Sequence, residues 1–226
     1  MEEKQKKGGP CGGTGRQASK KRWKPRRYIN HKKEFIWFKN PKAGSTSILQ
    51  ILFANKVVHR KPLHHTQKGD GFGWSRENDH PDYFKFGFVR NPWDRLVSVF
   101  EDKTKKVIGT RWSMPFYRKW KNATFPEFAQ DIVKKNLAGV DRHSRLQCCN
   151  LNNLEGLDFV GKLENFEEDV KFVMDNIGVE KYNLKCMNKV KRKHAHYTDY
   201  YDKETEEVVS KAYERDISEF GYTFGE

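Results

Sequence analysis

The sequence has few cysteines and no long apolar run. Its 226 residues include four cysteines, at positions 11, 148, 149 and 186, and none of them forms a C-x-x-C pair. Four scattered cysteines are too few for a disulfide framework, although Cys148 or Cys149 could pair with Cys186 in an oxidising compartment. No His or Cys pairs stand at zinc-finger spacing, and no apolar stretch approaches the ~20 residues of a membrane span or the ~7–15 of a signal-peptide core. We therefore expect a cytoplasmic protein without a metal or a transmembrane segment.

Acidic residues are scarce at the start of the chain. Residues 1–33 contain twelve Lys or Arg and two Glu, so they carry most of the net charge of +14. Because this segment has Gly and Pro but almost no apolar residues, it cannot bury enough surface to offset the entropy of ordering. We predict a disordered basic tail over residues 1–33 and one folded domain over residues 34–226. The basic cluster at residues 20–27 could bind an acidic polymer, with a solvated arm as the alternative.

The stretch 35–53, FIWFKNPKAGSTSILQILF, combines an aromatic strand, a loop of small residues and an apolar helical stripe. A helix start leaves backbone N–H groups unpaired and carries partial positive charge, so such a loop is suited to a phosphate or sulfate. Gly44 would permit close backbone approach, Lys42 would add a full charge, and the hydroxyls could donate hydrogen bonds. The candidate anion-binding residues are Lys42, Ala43, Gly44, Ser45, Thr46 and Ser47.

Two alternatives exist for this loop. It could be an ordinary strand-to-helix turn that is capped by Ser45. It could also belong to a nucleotide phosphotransferase, but such enzymes need G-x-x-x-x-G-K-[ST], and here the lysine precedes the glycine by two positions. The sequence therefore disfavours a nucleotide phosphotransferase.

A second strand, Tyr83 to Val89, leads directly into another helix. Asn91 is typical of an N-cap, Pro92 of the first helical position and Asp94 of the first turn. Arg90, at the end of the strand, and Ser98, about two turns into the helix, could share a terminal phosphate, which arginine binds with a planar fork of donors. The alternative is that Arg90 pairs with Asp94 or Asp102 and that Ser98 faces solvent.

The rest of the chain continues the alternation of strands and helices. A third strand is predicted at residues 157–163, and helices at 125–137, 165–177 and 202–220. We predict a single α/β domain with a P-loop-like three-layer fold, in which helices flank a central, mainly parallel sheet.

Taken together, these segments resemble the sulfotransferases that use 3′-phosphoadenosine 5′-phosphosulfate, particularly the branch that contains Golgi carbohydrate sulfotransferases and their soluble microbial relatives. The segment 41–46, PKAGST, is similar to the family's 5′-phosphosulfate loop, and 88–98, FVRNPWDRLVS, to its 3′-phosphate segment. Residues 158–169 and 196–224 resemble the same branch. The resemblance spans residues 35–224.

The resemblance implies a nucleotide sulfate donor, an unidentified hydroxyl or amine acceptor, and a role for each motif. The residues of the first loop would hold the 5′-phosphosulfate, and Arg90 and Ser98 the 3′-phosphate. A late basic loop contacts the nucleotide in some members, and a solvated loop is the alternative here. Its residues are Lys191, Arg192 and Lys193.

A general base must take the proton of the acceptor, and histidine suits that role at neutral pH. The resemblance points to the region between the two phosphate motifs, where we expect His65, followed by His64, to be the base. His80, Glu77 and Asp79 are the alternatives. A different hypothesis for the whole chain is a non-enzymatic protein that binds polyanions or nucleic acid through its basic segments.

Overall fold

A computed structural model describes residues 25–57, 71–73, 80–106, 115–180, 182 and 196–226 of the chain. Its sheet has five strands in the order β3-β1-β2-β4-β5. The strands are β1 (Arg27–Asn30), β2 (Phe35–Phe38), β3 (Gly71–Gly73), β4 (Phe84–Val89) and β5 (Phe159–Lys162). Strands β2, β4 and β5 are parallel, whereas β1 is antiparallel to both β2 and β3. The three predicted strands and the mainly parallel sheet are therefore confirmed, and β1 and β3 are additions to them.

The sequence-based boundary of the tail at residue 33 is wrong, because Arg27–Asn30 is a buried strand. Its polar residues find partners far along the chain. The guanidinium group of Arg27 lies 5.0 Å from the centre of the Phe38 ring, and Asn30 Nδ2 donates to the Val57 carbonyl over 2.7 Å. The composition of this segment predicted that these side chains are solvated, whereas in the fold they contact other residues of the chain. Residues 1–24, which hold most of the predicted tail, lie outside the described residues.

Helices follow three of the strands and cover both faces of the sheet. The α-helices are α1 (Ser45–Ala54), α2 (Pro92–Phe100), α3 (Phe125–Val133), α4 (Gln147–Asn150), α5 (Phe166–Asn176), α6 (Lys203–Ala212) and α7 (Glu214–Phe220). A π-helical segment, Glu101–Lys106, continues α2, and 3₁₀ turns lie at Pro115–Trp120, Asn152–Leu154, Leu163–Asn165 and Tyr197–Tyr200. None of the helices in the described ranges is long and apolar enough to cross a membrane.

The core has two halves, one on each face of the sheet. Phe35 and Trp37 point to the face that α1 and α5 cover, whereas Ile36 and Phe38 point to the face that α2, α3 and α6 cover. This separation follows from the alternation of side chains along a strand. The predicted three-layer α/β fold is confirmed. Because β2 and β4 are buried on both faces, their adjacent carboxyl ends hold the loops that follow them in fixed positions.

Two adjacent cysteines at the start of α4 have different states. Cys149 is disulfide-bonded, whereas Cys148 keeps a buried thiol whose pKa is raised by burial. A disulfide from one member of this pair was one of the possibilities left open by the sequence. Disulfides persist mainly in oxidising compartments. The cytoplasmic location stays a prediction.

Candidate functional site

The loop between β2 and α1 is tightly folded at the carboxyl end of the sheet. Lys42 and Gly44 both have left-handed backbone conformations, with φ of 70° and 72°. Ser45 Oγ donates to the Asn40 carbonyl over 2.6 Å, which closes the loop, and no side chain caps α1. The alternative in which Ser45 caps the helix is therefore wrong. The N–H groups of the first turn, from Ser45 onward, lack intrahelical acceptors and point out of the helix start, as an anion site requires.

Gly44 is required in this loop for two physical reasons. Its φ of 72° lies in the left-handed region, which side chains disfavour. A Cβ at this position would also stand 2.9 Å from Phe166 Cε2 and 3.1 Å from Leu163 Cδ1. Leu163, which follows β5, and Phe166, the first residue of α5, therefore pack directly against the loop and leave room only for glycine.

The end of β4 has the geometry that the sequence predicted. Asn91 caps α2, since its Oδ1 accepts from the N–H groups of Trp93 (3.1 Å) and Asp94 (3.2 Å). Arg90 Nε donates to Asp94 Oδ2 over 2.7 Å, which is the structural pair named above as an alternative. Arg90 also donates from a terminal nitrogen to the Lys42 carbonyl over 3.3 Å. The two predicted anion-binding segments therefore meet at one site.

Lys42 forms an ion pair with Asp102, which lies just beyond α2. Its Nζ is 3.0 Å from Asp102 Oδ2, and the Nζ of Lys103 is 3.2 Å from the same oxygen. Burial lowers the pKa of Lys42, and Asp102 opposes this effect. Burial alone would raise the pKa of Asp102, but Lys42 and Lys103 lower it below its usual range. Asp102 is therefore ionised at neutral pH, and the site balances each of its two principal cations with a carboxylate.

The hydroxyl residues of the site differ in accessibility. Thr46 is exposed, whereas Ser47 is buried in the first turn of α1 and Ala43 is buried in the loop. Ser98 is only 4% exposed on α2, so the alternative in which it faces solvent is wrong. No hydrogen bond joins Ser98 to Arg90 in the part of the chain that the structure describes. Of the predicted residues, the structure brings Lys42, Arg90 and the start of α1 together.

Comparison with known proteins identifies the family of this chain. The sequence model of the sulfotransferase family matches residues 25–223. The chain belongs to the sulfotransferase family. Human carbohydrate sulfotransferase 9 is 27% identical over 222 residues, which cover 84% of the chain and 48% of that protein. Human carbohydrate sulfotransferase 8 is 35% identical over 115 residues (42% of the chain, 26% of that protein), and zebrafish carbohydrate sulfotransferase 14 is 24% identical over 119 residues (44% and 31%).

The matches thus confirm the resemblance inferred from the two phosphate motifs. The chain spans about half the length of carbohydrate sulfotransferase 9, and less of the other two relatives. No solved structure matches the chain.

In this member of the sulfotransferase family, buried amide side chains support the two loops of the site, and sequence reasoning missed them. Gln147 Oε1 accepts from Asn40 Nδ2 (2.9 Å) and from the Arg90 N–H (3.1 Å), while its Nε2 donates to the Arg90 carbonyl (2.8 Å). Asn150 Nδ2 donates to Asn40 Oδ1 over 3.0 Å. Asn40 in turn donates to the Phe88 carbonyl over 2.9 Å. One amide cluster therefore fixes both loops of the site relative to each other.

A buried arginine adds a second connection between separate segments. The guanidinium of Arg95, 1% exposed on α2, donates to the carbonyls of Pro41 (3.0 Å), Arg145 (2.8 Å) and Arg142 (3.1 Å). Arginine can do this because its fork of donors stays charged and has fixed geometry. Arg95 thereby holds the loop of Lys42 against the turn at residues 141–145. The sequence signal that could have indicated this role is the position of Arg95 within the apolar stripe of α2.

The start of α4 depends on Asp216, which lies on α7 with no exposed surface. Its carboxylate accepts from the N–H groups of Gln147 (2.7 Å) and Cys148 (3.0 Å). Burial raises the pKa of Asp216, and these hydrogen bonds oppose that effect. Asp216 accepts hydrogen bonds from the first N–H groups of α4 and so holds Gln147 in its position next to the Arg90 backbone.

Several predicted residues lie outside the described part of the chain. They are His64, His65, Lys191, Arg192 and Lys193, together with the alternatives Glu77 and Asp79. Their roles in this sulfotransferase stay predictions. His80 is described, and its ring stacks on Tyr83 with centroids 4.5 Å apart.

Proposed function

We propose that this sulfotransferase transfers a sulfuryl group from 3′-phosphoadenosine 5′-phosphosulfate to a hydroxyl group of a carbohydrate. The observation that carries the proposal is the contact between Arg90 and the Lys42 carbonyl at 3.3 Å. It brings two cation-bearing loops together at the carboxyl ends of adjacent parallel strands, where open α/β sheets bind their ligands. A donor with phosphate groups at both ends of a nucleoside needs two such anion sites.

The residues of the first loop fit a phosphosulfate group. The helix start of α1 has no side-chain cap, and Gly44 brings no Cβ to the surface of the loop. We assign the 5′-phosphosulfate to the N–H groups at this helix start, to Lys42 and to the Thr46 hydroxyl. Ser45 takes part through its N–H, since its hydroxyl proton is used within the loop.

The residues of the second segment fit a terminal phosphate. Arg90, which follows β4, offers a planar fork of charged donors, and Ser98 carries a hydroxyl on α2, the helix that begins two residues after Arg90. Asp94 is paired with Arg90 and Asp102 with Lys42, so the donor must compete with these carboxylates for the two cations. We assign the 3′-phosphate to Arg90, with Ser98 as its second donor.

Lys42 has the main electrostatic role in the reaction that we propose. Negative charge builds up on the leaving phosphate during in-line transfer, so the interaction with Lys42 strengthens in the transition state and raises the rate. A carbohydrate acceptor is supported by the names of the relatives, each of which is a carbohydrate sulfotransferase.

The proposal is tested first by nucleotide binding. Calorimetry should detect adenosine 3′,5′-bisphosphate binding in the absence of magnesium, with a preference over ATP and magnesium. A preference for ATP with magnesium would instead indicate a phosphotransferase. Binding that does not distinguish the nucleotides and falls steeply with salt would indicate a polyanion-binding protein.

Turnover is tested with ³⁵S-labelled donor and a panel of desulfated polysaccharides. Lys42→Ala should lower the rate by about 10²–10³-fold, because it removes one transition-state contact, and should weaken nucleotide binding less. Lys56→Ala is the matched control, since Lys56 is exposed beyond the opposite end of α1. An unchanged rate in Lys42→Ala would refute the proposal.

A further inference from the structure

A histidine-carboxylate pair lies in the turn between α3 and α4. His143 Nδ1 is 2.6 Å from Asp141 Oδ1, and the same oxygen accepts the His143 backbone N–H over 3.0 Å. The two side chains are 13% and 20% exposed. The ring is therefore held at one nitrogen by a carboxylate, which is the arrangement that prepares an imidazole for proton transfer.

Asp141 is itself fixed by a neighbouring tyrosine. The Tyr117 hydroxyl donates to Asp141 Oδ1 over 3.0 Å, and Ser144 Oγ lies 2.8 Å from that hydroxyl. Burial raises the pKa of Tyr117, so the phenol keeps its proton and remains a donor. Burial alone would raise the pKa of Asp141, but the hydrogen bonds from His143 and Tyr117 bring it well below its usual value. Asp141 is therefore an ionised acceptor for the imidazole.

Hydrogen bonds from Arg95 and Asn150 hold this turn against the loop of Lys42. The guanidinium of Arg95 binds the Pro41 carbonyl and the Arg142 carbonyl at the same time, over 3.0 and 3.1 Å. Lys42 and His143 are the residues that directly follow these two carbonyls. Asn150 makes a second link, since its Nδ2 is 3.0 Å from both the Arg142 carbonyl and Asn40 Oδ1. The two segments are thus held together at residues next to Lys42 and His143.

The charges around His143 also connect it to the site. Lys103, which shares the Asp102 carboxylate with Lys42, acts on His143 together with Arg142. Both charges lower the pKa of His143.

We propose that His143 is the general base of the reaction, held in position by Asp141. This inference rests on the proposed sulfuryl transfer. Nε2 of the neutral imidazole accepts the proton of the acceptor hydroxyl while the acceptor oxygen forms its bond to sulfur. The bond between sulfur and the bridging oxygen of the 5′-phosphate breaks, and its electron pair stays on that oxygen beside Lys42. The imidazolium formed is stabilised by the Asp141 carboxylate.

The protonation state of His143 suits this role. Since the Asp141 carboxylate can only accept, Nδ1 carries the ring proton and Nε2 carries the lone pair. Within the described residues, Nε2 has no hydrogen-bond partner. Burial lowers the pKa of His143, the charges of Lys103 and Arg142 lower it further, and Asp141 opposes the decrease. The ring is therefore neutral at pH 7 and available as a base.

The other described histidines, His31, His80 and His196, have different surroundings. His31 Nδ1 lies 3.0 Å from the Tyr83 hydroxyl. The His196 ring is exposed and bonds to the Thr198 hydroxyl over 2.8 Å, and His80 stacks on Tyr83. The histidines favoured by the sequence, His64 and His65, are the direct rivals of His143. They enter the test as competing assignments.

The test compares His143→Gln with His64→Gln and His65→Gln, and uses His196→Gln as the control at an exposed ring. Turnover is measured with ³⁵S-labelled donor and the polysaccharide panel, and the affinity for adenosine 3′,5′-bisphosphate is measured by calorimetry. His143→Gln should lower kcat by about 10²–10⁴-fold, the range for loss of a general base, with nucleotide affinity within about threefold of wild type. His196→Gln should retain kcat, and His64→Gln and His65→Gln should each lower kcat far less than His143→Gln does.

The pH dependence gives a second, independent readout. In the wild type, kcat should fall as the pH drops through the pKa of His143, which lies below the ordinary value of about 6.5. Asp141→Asn should lower kcat and shift this inflection to lower pH, because the carboxylate that raises the pKa of His143 is removed. This variant decides the question if His143→Gln does not fold.

Three outcomes would overturn the assignment. The first is wild-type kcat in folded His143→Gln, above all if His65→Gln is inactive. The second is loss of nucleotide affinity in parallel with kcat, which would give His143 a purely structural role. The third is a pH profile that Asp141→Asn leaves unchanged. A wild-type protein that neither binds adenosine 3′,5′-bisphosphate nor turns over would refute the proposed function itself and the inference with it.

Discussion

The substitution Gly44→Ala tests whether the anion loop depends on close packing against β5 and α5. Two costs are expected. A side chain at φ of 72° costs roughly 1–2 kcal/mol. The new Cβ, 2.9 Å from Phe166 and 3.1 Å from Leu163, adds an overpacking cost of about 1–3 kcal/mol, because a buried ring and a leucine must both move. We expect the free energy of unfolding to fall by about 2–5 kcal/mol in total.

The matched control is Gly156→Ala. Gly156 has nearly the same conformation, with φ of 68°, but a Cβ there would meet nothing within 4 Å. Its substitution should therefore cost only the conformational part, roughly 1–2 kcal/mol. The difference between the two variants isolates the contact with Leu163 and Phe166.

Urea denaturation measures both costs, since the midpoint shifts at constant slope when only stability changes. Calorimetry with adenosine 3′,5′-bisphosphate then reports on the loop. Gly44→Ala should weaken binding at least about tenfold, equivalent to 1.4 kcal/mol, because the first N–H groups of α1 are displaced, whereas Gly156→Ala should bind like wild type. Equal unfolding costs for the two variants, or unchanged binding in Gly44→Ala, would refute the reasoning.

Three further predictions concern other parts of the site. Arg90→Ala should lower the affinity for adenosine 3′,5′-bisphosphate by about one to two decades and the affinity for 5′-AMP far less, since a charge-assisted contact contributes roughly 1.5–3 kcal/mol. An equal loss of affinity for both nucleotides in calorimetry would indicate that the pair with Asp94 is the main role of Arg90. Asp216→Asn should lower the free energy of unfolding in urea by about 1–3 kcal/mol, because the amide group cannot accept from both Gln147 and Cys148; a smaller loss would mean that Asp216 does not support α4. Deletion of residues 1–24 should leave the melting temperature and the rate on small acceptors unchanged. Deletion of residues 1–30 should lower the melting temperature, because it removes β1. Similar melting temperatures for both deletions would contradict the position of β1 in the sheet.

The parts that the sequence predicted correctly are those with local causes. Strands β2, β4 and β5 are short apolar runs, and the cap of α2 depends on Asn91 and on the N–H groups two and three residues later. The contact of Arg90 with Lys42 was not among the predictions, but it agrees with a general rule, since the carboxyl ends of neighbouring parallel strands share one edge of the sheet.

The parts that the sequence missed depend on partners far along the chain. Gln147 is 57 residues from Arg90, and Asp216 is 69 residues from Gln147. Neither residue belongs to a recognisable sequence motif. Both are polar, and the residues that flank them in the sequence do not indicate that they are buried. Strand β1 was assigned to the tail for the same reason, because the partners of Arg27 and Asn30 belong to elements that follow it.

Helix boundaries were missed where tertiary contacts decide them. The predicted helix at 125–137 ends at Val133, and the predicted helix at 202–220 is divided at Tyr213. The Tyr213 hydroxyl donates to the Ser144 carbonyl over 2.6 Å, a contact that helical periodicity does not reveal.

The carboxylates that balance the two cations have a consequence for ligand discrimination. Asp102 and Asp94 act as resident competitors, so a small inorganic anion gains little by replacing either one at Lys42 or Arg90. Under the proposed function, a nucleotide with an anionic group at each end would replace both carboxylates in a single association, and its second group would bind at a high effective concentration. We therefore expect the two carboxylates to prevent tight binding of chloride and free phosphate and to permit tight binding of a nucleotide that carries an anionic group at each end.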